Sequence, residues 1–161
     1  MPVIGSLNGT SAGGWTEYSK KIQEAGADAL ELNIYYIPTD PTISSADVED
    51  RYLEVLNEVR RTVKVPIALK LSPYISSLAN FARRLDAAGV NGLVLFNRFY
   101  QPDIDLVSLR PSRQAGLSSR TETGPGLLWI AALAGKLRAS LAASTGVETA
   151  EEVIKYLLVG A

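Results

Sequence analysis

The chain contains no cysteine and no histidine. The first absence excludes disulfide frameworks, thiolate metal sites and cysteine nucleophiles; the second excludes Ser–His dyads and imidazole acid–base chemistry. Any catalysis falls instead to lysine, tyrosine, serine, carboxylates, backbone amides or a bound cofactor. An excess of either charge is also missing: 17 acidic residues face 16 basic ones, for a formal net charge of −1. That is not the basic balance of a nucleic-acid-binding domain, so no nucleic-acid partner is expected. No apolar run reaches the roughly 18 residues of a membrane helix, and no membrane partner is expected. Met1-Pro2 leads straight into Val3-Ile4 without the basic start of a secretory leader, so the expected location is cytoplasmic.

What is present suits a single globular domain over residues 1–161, with 47% hydrophobic and 20% charged residues. Short apolar runs alternate with segments of helical period. Pro2–Leu7, Ala29–Ile34, Val65–Leu71, Gly92–Phe96 and Leu137–Ala143 read as strands. Helical spacing links Trp15, Tyr18 and Ile22, then Val48 through Val63, then Leu78, Phe81 and Leu85, and then Leu127–Ala134. Thr149 with Glu152 forms a capping box for a last helix, whose apolar face is Val153, Ile154, Leu157 and Leu158. Strands separated by helices imply right-handed βαβ units and a parallel sheet. Ala25–Leu32 (AGADALEL) and Ala88–Leu95 (AGVNGLVL) share a pattern, and Val159-Gly160-Ala161 opens a third copy. Such a repeat favours a barrel. A (β/α)8 barrel takes about 250 residues. The expected fold is therefore α/β: a partial TIM barrel of about five parallel strands with intervening helices, lacking strands at both ends. Its inward apolar face and both edges would be open; a small complete α/β sheet is the alternative.

In such barrels working residues sit at the C-terminal ends of strands. Those ends carry Asn8, Asn33, Lys70, Asn97 and Ser144-Thr145-Gly146. Alternation puts Asn33 on a face with Glu31, Lys70 with Ala68, and Asn97 with Leu93 and Leu95. If those faces point inward, the three side chains meet over one cavity. A lysine sunk in an apolar strand is a functional cation or the ion-pair partner of Glu31. Asn33 and Asn97 are ligands or loop caps, and Asn8-Gly9 is also a turn signal. Residues 144–146 precede a helix N-terminus, where free amides favour a phosphate or are merely capped. The long connection from Arg98 to Gly124 carries Arg98, Arg110, Arg113 and Arg120, as an anion-facing lid or as scattered surface charge.

Pro2–Trp15 (PVIGSLNGTSAGGW), Glu31-Leu32-Asn33, Ala68–Tyr74 (ALKLSPY) and Val94–Arg98 (VLFNR) resemble, in this order, dihydroorotate dehydrogenases. The resemblance covers essentially the whole chain, from about the family's third strand to the start of its eighth. It implies an FMN-dependent (β/α)8 barrel of pyrimidine biosynthesis, acting on a small-molecule substrate, with FMN as cofactor. Lys70 then matches the lysine at the flavin's N1/O2 edge, where a cation stabilises the reduced ring. Asn33 matches an asparagine that contacts flavin and pyrimidine, Asn97 one of the same polar cluster, and Ser144, Thr145 and Gly146 the first of two phosphate loops. Where some classes carry a Cys or Ser base, Tyr36 stands here. A phenol, titrating near about 10, is a poor base at neutral pH. Val147 also replaces an expected glycine, and the front of the flavin site falls on family strands outside this stretch, so this chain alone should hold FMN weakly or not at all. Besides flavin-dependent hydride transfer, two functions compete. One is a Schiff-base lyase using Lys70; the other is a non-catalytic remnant packing against other strands or a second copy.

Overall fold

Alternation with a period of two decides how this sheet sits, because it sends every second residue to the same face. The computed structural model describes residues 1–9, 12–98, 102–112 and 116–161. Five strands form one parallel sheet: β1 (Ile4–Leu7), β2 (Ala29–Asn33), β3 (Ile67–Leu71), β4 (Gly92–Leu95) and β7 (Ser140–Ala143), adjacent in that order. Between them run α1 (Ala12–Glu24), α2 (Ser45–Thr62), α3 (Leu78–Ala87) and α4 (Thr123–Leu133), and α5 (Ala150–Val159) closes the chain. The connection after β4 holds a small hairpin, β5 (Ile104–Asp105) and β6 (Arg110–Pro111), within the Arg98–Gly124 stretch expected as one long connection. Among the described residues no helix is long and apolar enough to cross a membrane.

The two faces of the sheet differ in chemistry. Toward the helices point Leu30 and Leu32 of β2, Ile67, Leu69 and Leu71 of β3, and Leu93 and Leu95 of β4, all essentially inaccessible. They meet Tyr52, Leu56 and Val59 of α2 and Phe81 and Leu85 of α3 in one core. Tyr52 and Phe81 pack edge to face, with ring centroids 5.6 Å apart. On the opposite face the register aligns Ser6, Glu31, Ala68, Gly92 and Ser140 in one row and Asn33, Lys70, Val94 and Ala142 in the next. That face is small and polar rather than apolar, which corrects the expectation from sequence. Large side chains belong where helices cover them, so the open face loses little by facing water.

Two helix expectations also change. The Thr149–Glu152 capping box is present, but Val153, Ile154, Leu157 and Leu158 are exposed, and α5 packs instead through Tyr156 and Glu152. Helix α4 begins at Thr123, ahead of its apolar run, because the turn Arg120–Glu122 leads directly into it.

Asp86 at the end of α3 anchors the entry to β7 by accepting from the backbone N–H groups of Arg138 (3.0 Å) and Ala139 (2.9 Å). The helix-facing leucines carry the larger burden. Leu69→Ala should destabilise the protein by about 2–5 kcal/mol, whereas Ser140→Ala on the open face should change stability by less than about 0.5 kcal/mol. Urea unfolding followed by circular dichroism compares the two directly.

Candidate functional site

The open face carries its polar groups at the C-terminal rim. Asn33 and Lys70 are register partners on adjacent strands, so their side chains rise side by side. Lys70 Nζ lies 4.0 Å from Glu31 Oε1, and the two side chains are only 22% and 19% exposed. The Ser6 hydroxyl donates to the same carboxylate oxygen at 2.8 Å. The ion-pair reading of Lys70 is thus realised, and it places the ammonium at the rim rather than removing it. A half-buried pair with a shared acceptor holds the ammonium more firmly than an exposed one would.

Asn97 reaches this cluster by a route that alternation does not give. Leu93 and Leu95 point into the helix-facing core, so strict period two would send Asn97 there as well. The ladder instead ends at Leu95, Phe96 is buried, and the Asn97 amide donates through Nδ2 to Asn33 Oδ1. Its own backbone N–H bonds to the Leu71 carbonyl at 2.7 Å. Convergence of Lys70, Asn33 and Asn97 holds, but through the broken alternation after β4 rather than through shared strand faces.

Asn97 also lines a cavity of about 290 Å3 that includes Tyr74, Phe96, Arg98, Ser144 and Thr145. Ser144 and Thr145 both donate their hydroxyls to the Phe96 carbonyl, at 2.6 and 3.0 Å. The buried Gly146 donates its N–H to Ser118 Oγ at 3.0 Å. Thr145 and Gly146 have φ of 82° and 72°, a conformation costing a β-branched residue about 1–3 kcal/mol. A Cβ on Gly146 would sit 2.5 Å from the Ser119 carbonyl oxygen, so only glycine allows this approach. The turn is not itself the helix N-terminus. Helix α5 starts after Thr149, its first amides are met by its own capping box, and Glu151 and Glu152 make its first turn acidic.

Other expected residues lie apart. Tyr36 is on a separate, mostly apolar cavity of about 360 Å3, with the Arg51 guanidinium 4.3 Å from its ring centroid. It does not line the Asn97 cavity. Asn8 is exposed, and Gly9 beside it lies under the Trp15 ring, where a Cβ would be 2.8 Å from the indole. Arg98 pairs with Glu122 at 3.2 Å, and Arg120 with Glu151 and Glu152 at 2.9 and 2.8 Å. These arginines tie residues 116–122 down over the rim rather than offering themselves to an anion. Arg110 sits exposed on the hairpin, and Arg113 lies outside the described residues, as do Thr10 and Ser11 of the Pro2–Trp15 motif. Tyr74, at the boundary of both cavities, and Ser6, which steadies Glu31, were not singled out by sequence reasoning. Tyr74 stands three residues beyond β3, where rim residues are expected, and that position was its only signal.

The family model for dihydroorotate dehydrogenase matches residues 1–161. The chain belongs to the dihydroorotate dehydrogenase family. It is 30% identical over 169 residues to a putative dihydroorotate dehydrogenase A (fumarate) of Aeropyrum pernix, covering 100% of this chain and 54% of that protein. It is 28% identical over 168 residues to the catalytic subunit of dihydroorotate dehydrogenase B (NAD(+)) of Thermoplasma volcanium, covering 99% and 54%. The chain thus spans about half the length of these family relatives. Among solved structures, a dihydroorotate dehydrogenase of Eimeria tenella in complex with ferulenol superposes with a TM-score of 0.65 at 17% identity, covering 95% of this chain and 47% of that one. That likeness shows the fold and agrees with five consecutive strands of a family barrel.

The strap over this family rim has a pH signature. Bonds from the Thr149 hydroxyl and N–H, with the Arg120 guanidinium beside it, hold the Glu152 carboxyl down at about 2 against an ordinary 4.5. A depressed carboxyl stabilises the fold above its unfolded value, and that contribution is lost as pH falls from about 4.5 toward 2. Glu152→Gln should flatten this part of the melting-temperature profile, as thermal unfolding between those pH values will show.

Proposed function

We propose that the protein acts as an FMN-dependent oxidoreductase, moving a hydride between a dihydropyrimidine-like substrate and flavin. The observation that carries this reading is the ammonium of Lys70 beside the linked carboxamides of Asn33 and Asn97 at one strand-end rim. The donor set fits the polar edge of a flavin ring: one cation, the two amide N–H donors of Asn33, and the carbonyl acceptor and second N–H of Asn97. The phosphate end fits less well as arranged, since Ser144, Thr145 and Gly146 direct their hydroxyls and N–H to Phe96 and Ser118. Those groups would have to exchange partners to hold a phosphate.

When bound, FMN would supply the two-electron hydride acceptor. The chain's residues would do the positioning. Lys70, steadied by Glu31 and through it by Ser6, would place positive charge where the ring gains electrons. Asn33 and Asn97 would fix the angle between ring and substrate, since each carboxamide is held by the other. The one proton that leaves the substrate alongside the hydride needs a base. Tyr36, a poor candidate as a phenol, lines the other cavity with its ring against Arg51, which does not favour it as that base. The lyase alternative would need the Lys70 amine released from Glu31.

The test uses protein prepared at the full length of its relatives. It should purify yellow and bleach with dithionite; colourless protein that stays colourless after FMN is added would refute the reading. Lys70→Ala should lower the reductive rate by about a hundredfold or more, read by stopped-flow flavin bleaching. Tyr36→Phe should change that rate by less than about tenfold.

A further inference from the structure

The apolar cavity beside Tyr36 holds none of the groups assigned to the flavin and adjoins that site at Tyr74. It lies between the segment after β2, the first turns of α2 and the segment after β3. Strand-end loops are normally polar, yet this one is walled by Ile37, Ile43 and Ile75 together with Val48, Tyr36 and Tyr52. Ile37 and Ile43 do not belong to the core cluster, and Ile37 is 40% exposed. Folding the sheet against its helices therefore does not account for them. Three polar groups of the wall already have partners. The Tyr52 hydroxyl donates to the Ile34 carbonyl at 3.0 Å, Glu49 pairs with Arg84 at 2.5 Å, and Ser44 is bound up with Asp47 in its capping box. An occupant would be held by apolar contact and ring packing, without a charge.

Size narrows the class. About 360 Å3 lies in the range of small-molecule sites, roughly 300–1,000 Å3. Tyr74, 68% exposed, borders both this cavity and the one holding Asn97, Ser144 and Thr145. A ligand could thus place a polar end among those groups and an apolar ring on the far side of Tyr74.

We infer that this cavity is a binding subsite for an uncharged aromatic group, the apolar portion of a ligand whose polar end passes Tyr74 toward Asn97. The probe is 2-naphthol, titrated calorimetrically into the 161-residue chain. Saturable binding of one molecule per chain is expected, weakened about tenfold or more by Val48→Trp, which fills the cavity from α2. Ile43→Trp, on the loop side, should do the same and decides the matter if the Val48 variant does not fold. Leu157→Asp, on the exposed apolar face of α5, and Lys70→Met, in the flavin reading's own site, should leave binding unchanged. Retained binding in the Lys70 variant separates this subsite from the fate of the flavin proposal. Absence of saturable binding, binding lost in Leu157→Asp but kept in both tryptophan variants, or a dimer in sedimentation that buries Ile43 and excludes the probe would each overturn the inference.

Discussion

In-register parallel pairing of β2, β3 and β4 is the constraint on which the rest of the structure depends. It sets Leu32, Leu69 and Leu93 in one row facing the helices and Asn33, Lys70 and Val94 in another facing the open side. A slip of one residue in β3 would bury the Lys70 ammonium among leucines and expose Leu69 and Leu71. Burial of the helix-facing leucines therefore enforces the register, and the register places the site. Core and site are two faces of the same pairing.

Around that frame, fixed contacts aim the remaining groups. The pair of Lys70 with Glu31 crosses from β3 to β2, and Ser6 extends it to β1. Asn97 then bridges from beyond β4 back to Asn33. The long connection after β4 returns to the rim, where Arg98 grips Glu122 and Arg120 grips the first turn of α5. The rim is thus laced across four strands and a helix by polar contacts that converge on a half-open face. Such a network is costly to build from unpaired parts and holds its members in place once complete.

The apolar cavity beside the rim follows a different logic. Tyr52 and Glu49 of its wall are met by protein partners, and Ile37 and Ile43 lie on a loop where the core does not call for them. Tyr74 joins the two cavities, so one ligand can meet both polar and apolar surroundings without crossing the sheet.

The alternation of apolar runs and helical periods was enough to place all five sheet strands, and strand-end position was enough to single out Asn33, Lys70 and Asn97. Both are local properties of the backbone: period two in strands and near four in helices leave a direct imprint on residue order. The family's motifs were equally legible, because ALKLSPY and VLFNR stand in the chain in the order the resemblance needs. Which face stays open was not legible, since Leu-Lys-Leu alternates identically whichever side the helices cover. Nor was the turn of Asn97 toward Asn33, the distance of Tyr36 from the polar cluster, or the exposure of Ile154 and Leu158. Each depends on where segments remote in sequence come to rest. The order of residues thus determined the elements and the identity of the polar groups, while only the packing of helices on one side of the sheet decided which of those groups meet.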